Sequence, residues 1–152
     1  MTVSGFGSFL GAVLAVVWSA SAAAQVSVKD AWVRAVPGQK VAGAYLTVTS
    51  AAGGRLVGVE TPAAKVAEIH EMRHENGVMR MRRREALDLP AGEPVKLAPG
   101  GLHIMFMSIE QPLVAGQEVV LTLVVEEGGK RQTVEVRAPV RAAGAGGGHE
   151  HH

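Results

Sequence analysis

The chain has 152 residues and 15 basic against 14 acidic side chains, a formal charge of +1. That length suits one domain with a real core, and the balanced charge excludes a general attraction to nucleic acid or an anionic membrane. There is no cysteine, which excludes disulfides, thiolate nucleophiles and thiolate metal sites.

Residues 6–18 are uncharged and mostly apolar, too short to span a bilayer comfortably, and small residues follow at 19–24. This reads as a signal peptide, residues 1–24, cleaved after Ala24 to leave Gln25 first, although its n-region has no Lys or Arg. Export to the periplasm follows, with no stable membrane insertion after cleavage. No cysteine follows the apolar run, so a lipid anchor is not expected.

From Val26 onward the chain is a series of short β-prone runs broken by turn residues. Val26 to Val36 ends at Pro37-Gly38, Val41 to Ser50 at Gly53-Gly54, and 55–60 at Thr61-Pro62. Segments 66–73 and 78–84 flank Asn76-Gly77, a pair suited to the type I′ turn, so they are expected to form an antiparallel hairpin. Leu87 to Leu89, Val95 to Leu97 and a strand over 102–109 follow. Val119 to Glu126 reads as buried on both faces or nearly so, and Gln132 to Val140 alternates. No segment shows a long 3.6-residue apolar period, so the pattern predicts an all-β fold, an antiparallel β-sandwich or barrel. The domain is set at 25–140, and residues 141–152 are expected to be a flexible Gly/Ala-rich tail ending in histidines.

Chemistry concentrates in three runs. On an extended 102–109, His103, Met105 and Met107 share one face and Ile104 and Phe106 the other. His70 and Met81 fall on the two arms of the predicted hairpin. Two imidazoles and two thioethers without a thiolate suit Cu(I), for which methionine sulfur competes well, and about four such donors satisfy it. Met72, Met79 and Met107 read as packing residues or a hydrophobic collar rather than ligands, His74 as a surface residue beside the turn, and Arg80, Arg82, Arg83 and Arg84 as a solvated basic run. No nucleophile elbow or phosphate-binding glycine loop is present. The missing cysteine also rules out a blue-copper electron carrier.

The spacing His70, ten residues, Met81, twenty-one residues, His103, one residue, Met105 resembles the signature of the PCuAC family of periplasmic copper chaperones. The resemblance extends through Asp30-Ala31-Trp32-Val33-Arg34, Ala42 to Thr47, His70-Glu71-Met72, Gly77 to Met81 and Pro99 to Met105. It implies a cupredoxin-like Greek-key β-sandwich that is not an enzyme. Cu(I) would be bound by His70, Met81, His103 and Met105 near a strand-end edge, in a monomer. It further implies delivery to the copper-centre subunit of cytochrome c oxidase beside a Sco-type copper protein, with scavenging, resistance or storage as the alternative. His149, His151 and His152 are candidates for a secondary Cu(II) site, with an inert terminus as the equal alternative.

Overall fold

A computed structural model describes residues 25–143. They form ten strands: β1 (Val26–Ala35), β2 (Ala42–Ser50), β3 (Gly54–Glu60), β4 (Val66–Glu75), β5 (Val78–Arg84), β6 (Leu87–Leu89), β7 (Val95–Leu97), β8 (Leu102–Met107), β9 (Glu118–Glu127) and β10 (Lys130–Ala142). The hydrogen-bonded order is β5-β4-β8-β2-β1-β10-β9-β3-β6, with β7 added beside β2. This path folds over so that β3 nears β4 and β2 nears β6, enclosing one apolar core. All the neighbouring pairs are antiparallel except β1 with β10, which run parallel from Val33↔Val140 to Ala35↔Ala142.

That parallel pair joins the two halves of the sandwich, and β10 is the strand that changes sheets. Through Pro139 it pairs with β9; from Val140 it pairs with β1. Proline lacks the N–H a ladder needs, which suits the point where one partner is exchanged for another. Local alternation cannot reveal such a pair, because both partners read as ordinary strands. The expected tail boundary also shifts. Arg141 and Ala142 belong to β10, and Ala143 still donates its N–H to the Ala35 carbonyl. The expectation that Val119 to Glu126 is buried on both faces is corrected too: Val119, Leu121, Leu123 and Val125 are buried, while the residues between them are only half-buried.

A bulge in β1 decides which side chains reach the outside. Val26 and Val33 are both buried although seven positions apart, a spacing that an unbroken strand would send to opposite faces. The register with β2 slips between Lys29 and Trp32, where Asp30 takes φ 54°. An extra residue at a bulge restores the phase, and Asp tolerates the left-handed region better than most. As a result Val33 and Ala35 turn inward, and Trp32 and Arg34 turn outward.

The hairpin forms as its turn chemistry demands. Asn76 and Gly77 have φ of 51° and 79°, the two positive values of a type I′ turn, and Glu75 pairs with Val78. β4 pairs on its other side with β8, in the register Ile69↔Ile104 and His70↔His103.

Candidate metal centre

β4 and β8 each present an apolar face to the core, with Ile69 at 3% exposure and Ile104 and Phe106 at 0%. Period-two alternation therefore sends His70, Met72, His103 and Met105 to the outer face. On β2 the same rule buries Ala44 and puts Gly43 and Tyr45 on the outside of the sheet. The candidate ligands thus lie on the outer face of the sheet, beside its free edge β5 and next to the strand-end and turn residues Val36, Gln39, Val41 and Gly100.

Two transverse rows cross this face. In the first, Trp32 pairs with Tyr45, and His103 with His70 and His70 with Arg83, the Tyr45 and His103 rings adjoining across the join; in the second, Arg34, Gly43, Met105 and Glu68 are successive register partners. In the first row the ring centroids lie 4.7 Å apart for Trp32–Tyr45, 6.5 Å for Tyr45–His103 and 5.9 Å for His103–His70. Met72 stands directly opposite Met81 on the hairpin, two residues along from His70. A cleft of about 240 Å³ opens here, lined among others by Arg34, Tyr45, Met72, Met81, His103 and Met105.

The two imidazoles are oriented by their partners. The Gly101 carbonyl can only accept, so His103 donates to it from Nδ1 at 3.1 Å and leaves Nε2 with a free lone pair. The Glu68 carboxylate likewise accepts from His70 Nε2–H at 2.9 Å, which frees His70 Nδ1. That Nδ1 is buried and has no hydrogen-bond partner. An orphaned buried acceptor is uncommon and calls for a ligand, and a second ring nitrogen tied to a carboxylate is the usual support of a metal-bound histidine. Arg83 Nε lies 3.4 Å from the other oxygen of Glu68 and helps hold it.

The donor chemistry agrees. Among the described residues no three His, Asp or Glu side chains gather where they could share an ion, so a full donor set is reached only by counting methionine sulfur. Such a set fits a soft monovalent ion better than Zn(II) or Ca(II). His103 is buried at 6% exposure, whereas Met81 is 46% exposed on the edge strand.

The structure brings His70, His103, Met105 and Met81 to one face. Met72, expected to pack or to form a hydrophobic collar, lines the cleft with Met81, as a collar residue would. Met107 pairs with Val66 farther along β8, outside the cleft, and Met79 and His74 face each other, exposed, near the turn. Glu68, Gly43, Tyr45 and Arg34 are further residues of this face: period two on β4 already puts Glu68 beside His70, whereas only the cross-strand pairing reveals the place of Gly43, Tyr45 and Arg34. The expected signal peptide, residues 1–24, and the tail histidines His149, His151 and His152 lie outside the described residues.

A ten-strand sandwich with this donor face has the architecture of PCuAC domains. It is similar to the copper-bound PCuAC domain from PmoF2, with 28% identity over 78% of this chain and 93% of that one and a TM-score of 0.62. It is also similar to apo-DR1885 from Deinococcus radiodurans, with 29% identity, 93% and 95% coverage and a TM-score of 0.59. For CuI-DR1885 from the same organism the values are 28%, 75% and 78%, and 0.57. The chain belongs to the LpqE-like family, "Putative lipoprotein LpqE-like", whose model matches residues 26–140. A "Putative lipoprotein Lxx21020" of Leifsonia xyli subsp. xyli is 36% identical over 119 residues, 76% of this chain and 69% of that protein.

Proposed function

We propose that this chain is an exported copper carrier that binds one Cu(I) through His70, Met81, His103 and Met105 and hands it to an acceptor. The observation that carries the reading is the pair of facing histidines whose free nitrogens, Nδ1 of His70 and Nε2 of His103, are left by their hydrogen bonds to Glu68 and Gly101 on a methionine-lined face. The copper-bound PmoF2 domain and CuI-DR1885 support it, and the lipoprotein description of the family supports an envelope location. Neutral donors hold a monovalent ion without burying net negative charge. A full set of four leaves no open position for a substrate, so the role is carriage and not catalysis.

The acceptor we propose is the copper centre of cytochrome c oxidase, reached alone or through a Sco-type partner, on the strength of the family resemblance. A scavenging or storage protein would use the same donors, but the exposure of Met81 favours handover, since an accessible thioether is the first bond a partner can replace. Mixing the Cu(I)-loaded protein with the apo copper-centre domain tests this. Stoichiometric transfer is expected; retention of copper, with and without the Sco partner, would favour storage.

A further inference from the structure

The described residues include ten arginines, and eight lie within 4.0 Å of a carboxylate: Arg55, Arg73, Arg80, Arg82, Arg83, Arg84, Arg131 and Arg137. Arg34 and Arg141 are the two that do not. They are register partners on β1 and β10, and both guanidiniums sit over Trp32, at 5.7 Å and 5.2 Å from its ring centroid. Arg34 also lies 5.6 Å from the Tyr45 centroid. Stacking fixes the plane of a guanidinium without using its N–H donors, which stay available to an anion from outside.

Arg34 is also a wall of the cleft that holds Met72, Met81, His103 and Met105. Gly43 lies between Arg34 and Met105, pairing with each. A Cβ at Gly43 would stand 2.6 Å from the Tyr45 hydroxyl oxygen, so only a glycine lets that phenol lie across the gap. The result is a positive charge with no carboxylate partner among the described residues, one short step from the donors, on the face a partner must approach.

We infer that Arg34, seconded by Arg141, receives the anionic ligand that takes copper out of the site, and that this ligand is a thiolate of the acceptor. The inference rests on the Cu(I) reading above. Thiolate is the anion a soft ion prefers. In the exchange the thiolate sulfur gives a lone pair to Cu(I) as the Met81 thioether bond breaks. The thioether leaves neutral and the metal stays Cu(I). The centre goes from +1 to neutral, with no oxidant, reductant or further proton. Arg34 raises the local concentration of the anion and aims it at the exposed side of the site.

The test uses the loaded full chain, without oxygen, and two chelators that bind Cu(I) through the same ring nitrogens: bathocuproine disulfonate, which is anionic, and neocuproine, which is neutral. A blocked Cys-Gly-Gly-Cys peptide is the thiolate arm. Arg34→Gln is expected to slow extraction by the sulfonated chelator and by the peptide about three- to tenfold, the scale of one steering charge, with neocuproine changed less than about twofold. Arg34→Lys should recover most of the rate. Equal slowing with both chelators would reduce Arg34 to a prop for Trp32 and overturn the inference, as would no slowing with either anionic extractor. Should Arg34→Gln not fold, Arg141→Gln with the same reagents must still discriminate between charged and neutral chelators, by a smaller factor; no discrimination overturns it. A chain that takes up no Cu(I) fails earlier, at loading, and that failure belongs to the binding reading.

Discussion

On β8, Ile104 and Phe106 are wholly buried in the sandwich, while His103 and Met105, one residue out of phase, face outward over a cleft. β4 repeats the division with Ile69 inside and His70 and Met72 outside. Each strand thus carries two patterns interleaved at period two. The inner set holds the sheet to the core; the outer set collects donors from three strands by register alone. A change on one face is therefore expected to be felt little on the other, and this separation can be tested.

The largest effect belongs to the inner face. Phe106→Ala removes the bulkiest fully buried side chain and is expected to cost about 3–5 kcal/mol in denaturant unfolding. His103→Ala should lower Cu(I) affinity at least about a hundredfold, some 2.8 kcal/mol at about 1.4 per decade. Because the removed ring packs outside the core, the variant should unfold within about 1.5 kcal/mol of the parent, the loss of a single hydrogen bond. A much larger loss of stability would show that the two faces are not independent.

Glu68→Gln addresses the support of the donors. Partners behind a metal-bound histidine are typically worth 10–100-fold in affinity, and a loss of about tenfold is expected, because an amide oxygen still accepts from His70 Nε2–H but less strongly. Glu68→Ala should lose more. Nitrogen NMR of the metal-free protein supplies the independent check: the parent should hold His70 with its proton on Nε2, and Glu68→Ala should mix the tautomers. The smallest effect is expected at the hairpin. Gly77 has φ 79° and open space where a Cβ would stand, so Gly77→Ala pays only for the left-handed conformation, about 1 kcal/mol. Cu(I) affinity should fall only as far as the Met81 arm loses its register.

Much of this was legible in the sequence for physical reasons. Turn residues mark where a strand must stop, and Asn76-Gly77 specifies both the turn and the pairing of β4 with β5. The alternation over 102–107 separates His103 and Met105 from Ile104 and Phe106 without any structure. What was not legible depends on distant partners. The bulge at Asp30 aims Trp32 and Arg34 outward only because Val26 and Val33 must both reach the core. The parallel pairing of β10 with β1 brings Arg141 to Arg34 across more than a hundred residues of chain. Glu68 shares the face of His70 by alternation along β4, but the register is what brings Arg83 to its other oxygen. Methionine fills gaps of many shapes, so the sequence leaves Met72 as packing or collar, and only its pairing with Met81 puts it beside the donors.

The most direct test of the central claim is a Cu(I) titration against a competing chelator, run on the protein and on His70→Ala, Met81→Ala, His103→Ala and Met105→Ala, with Phe106→Leu as the inner-face control. One copper per chain is expected, with affinity lost in the four outer-face variants and kept in the control. Binding that survives in all four, or that falls equally in the control, would contradict the assignment of this face as the copper site.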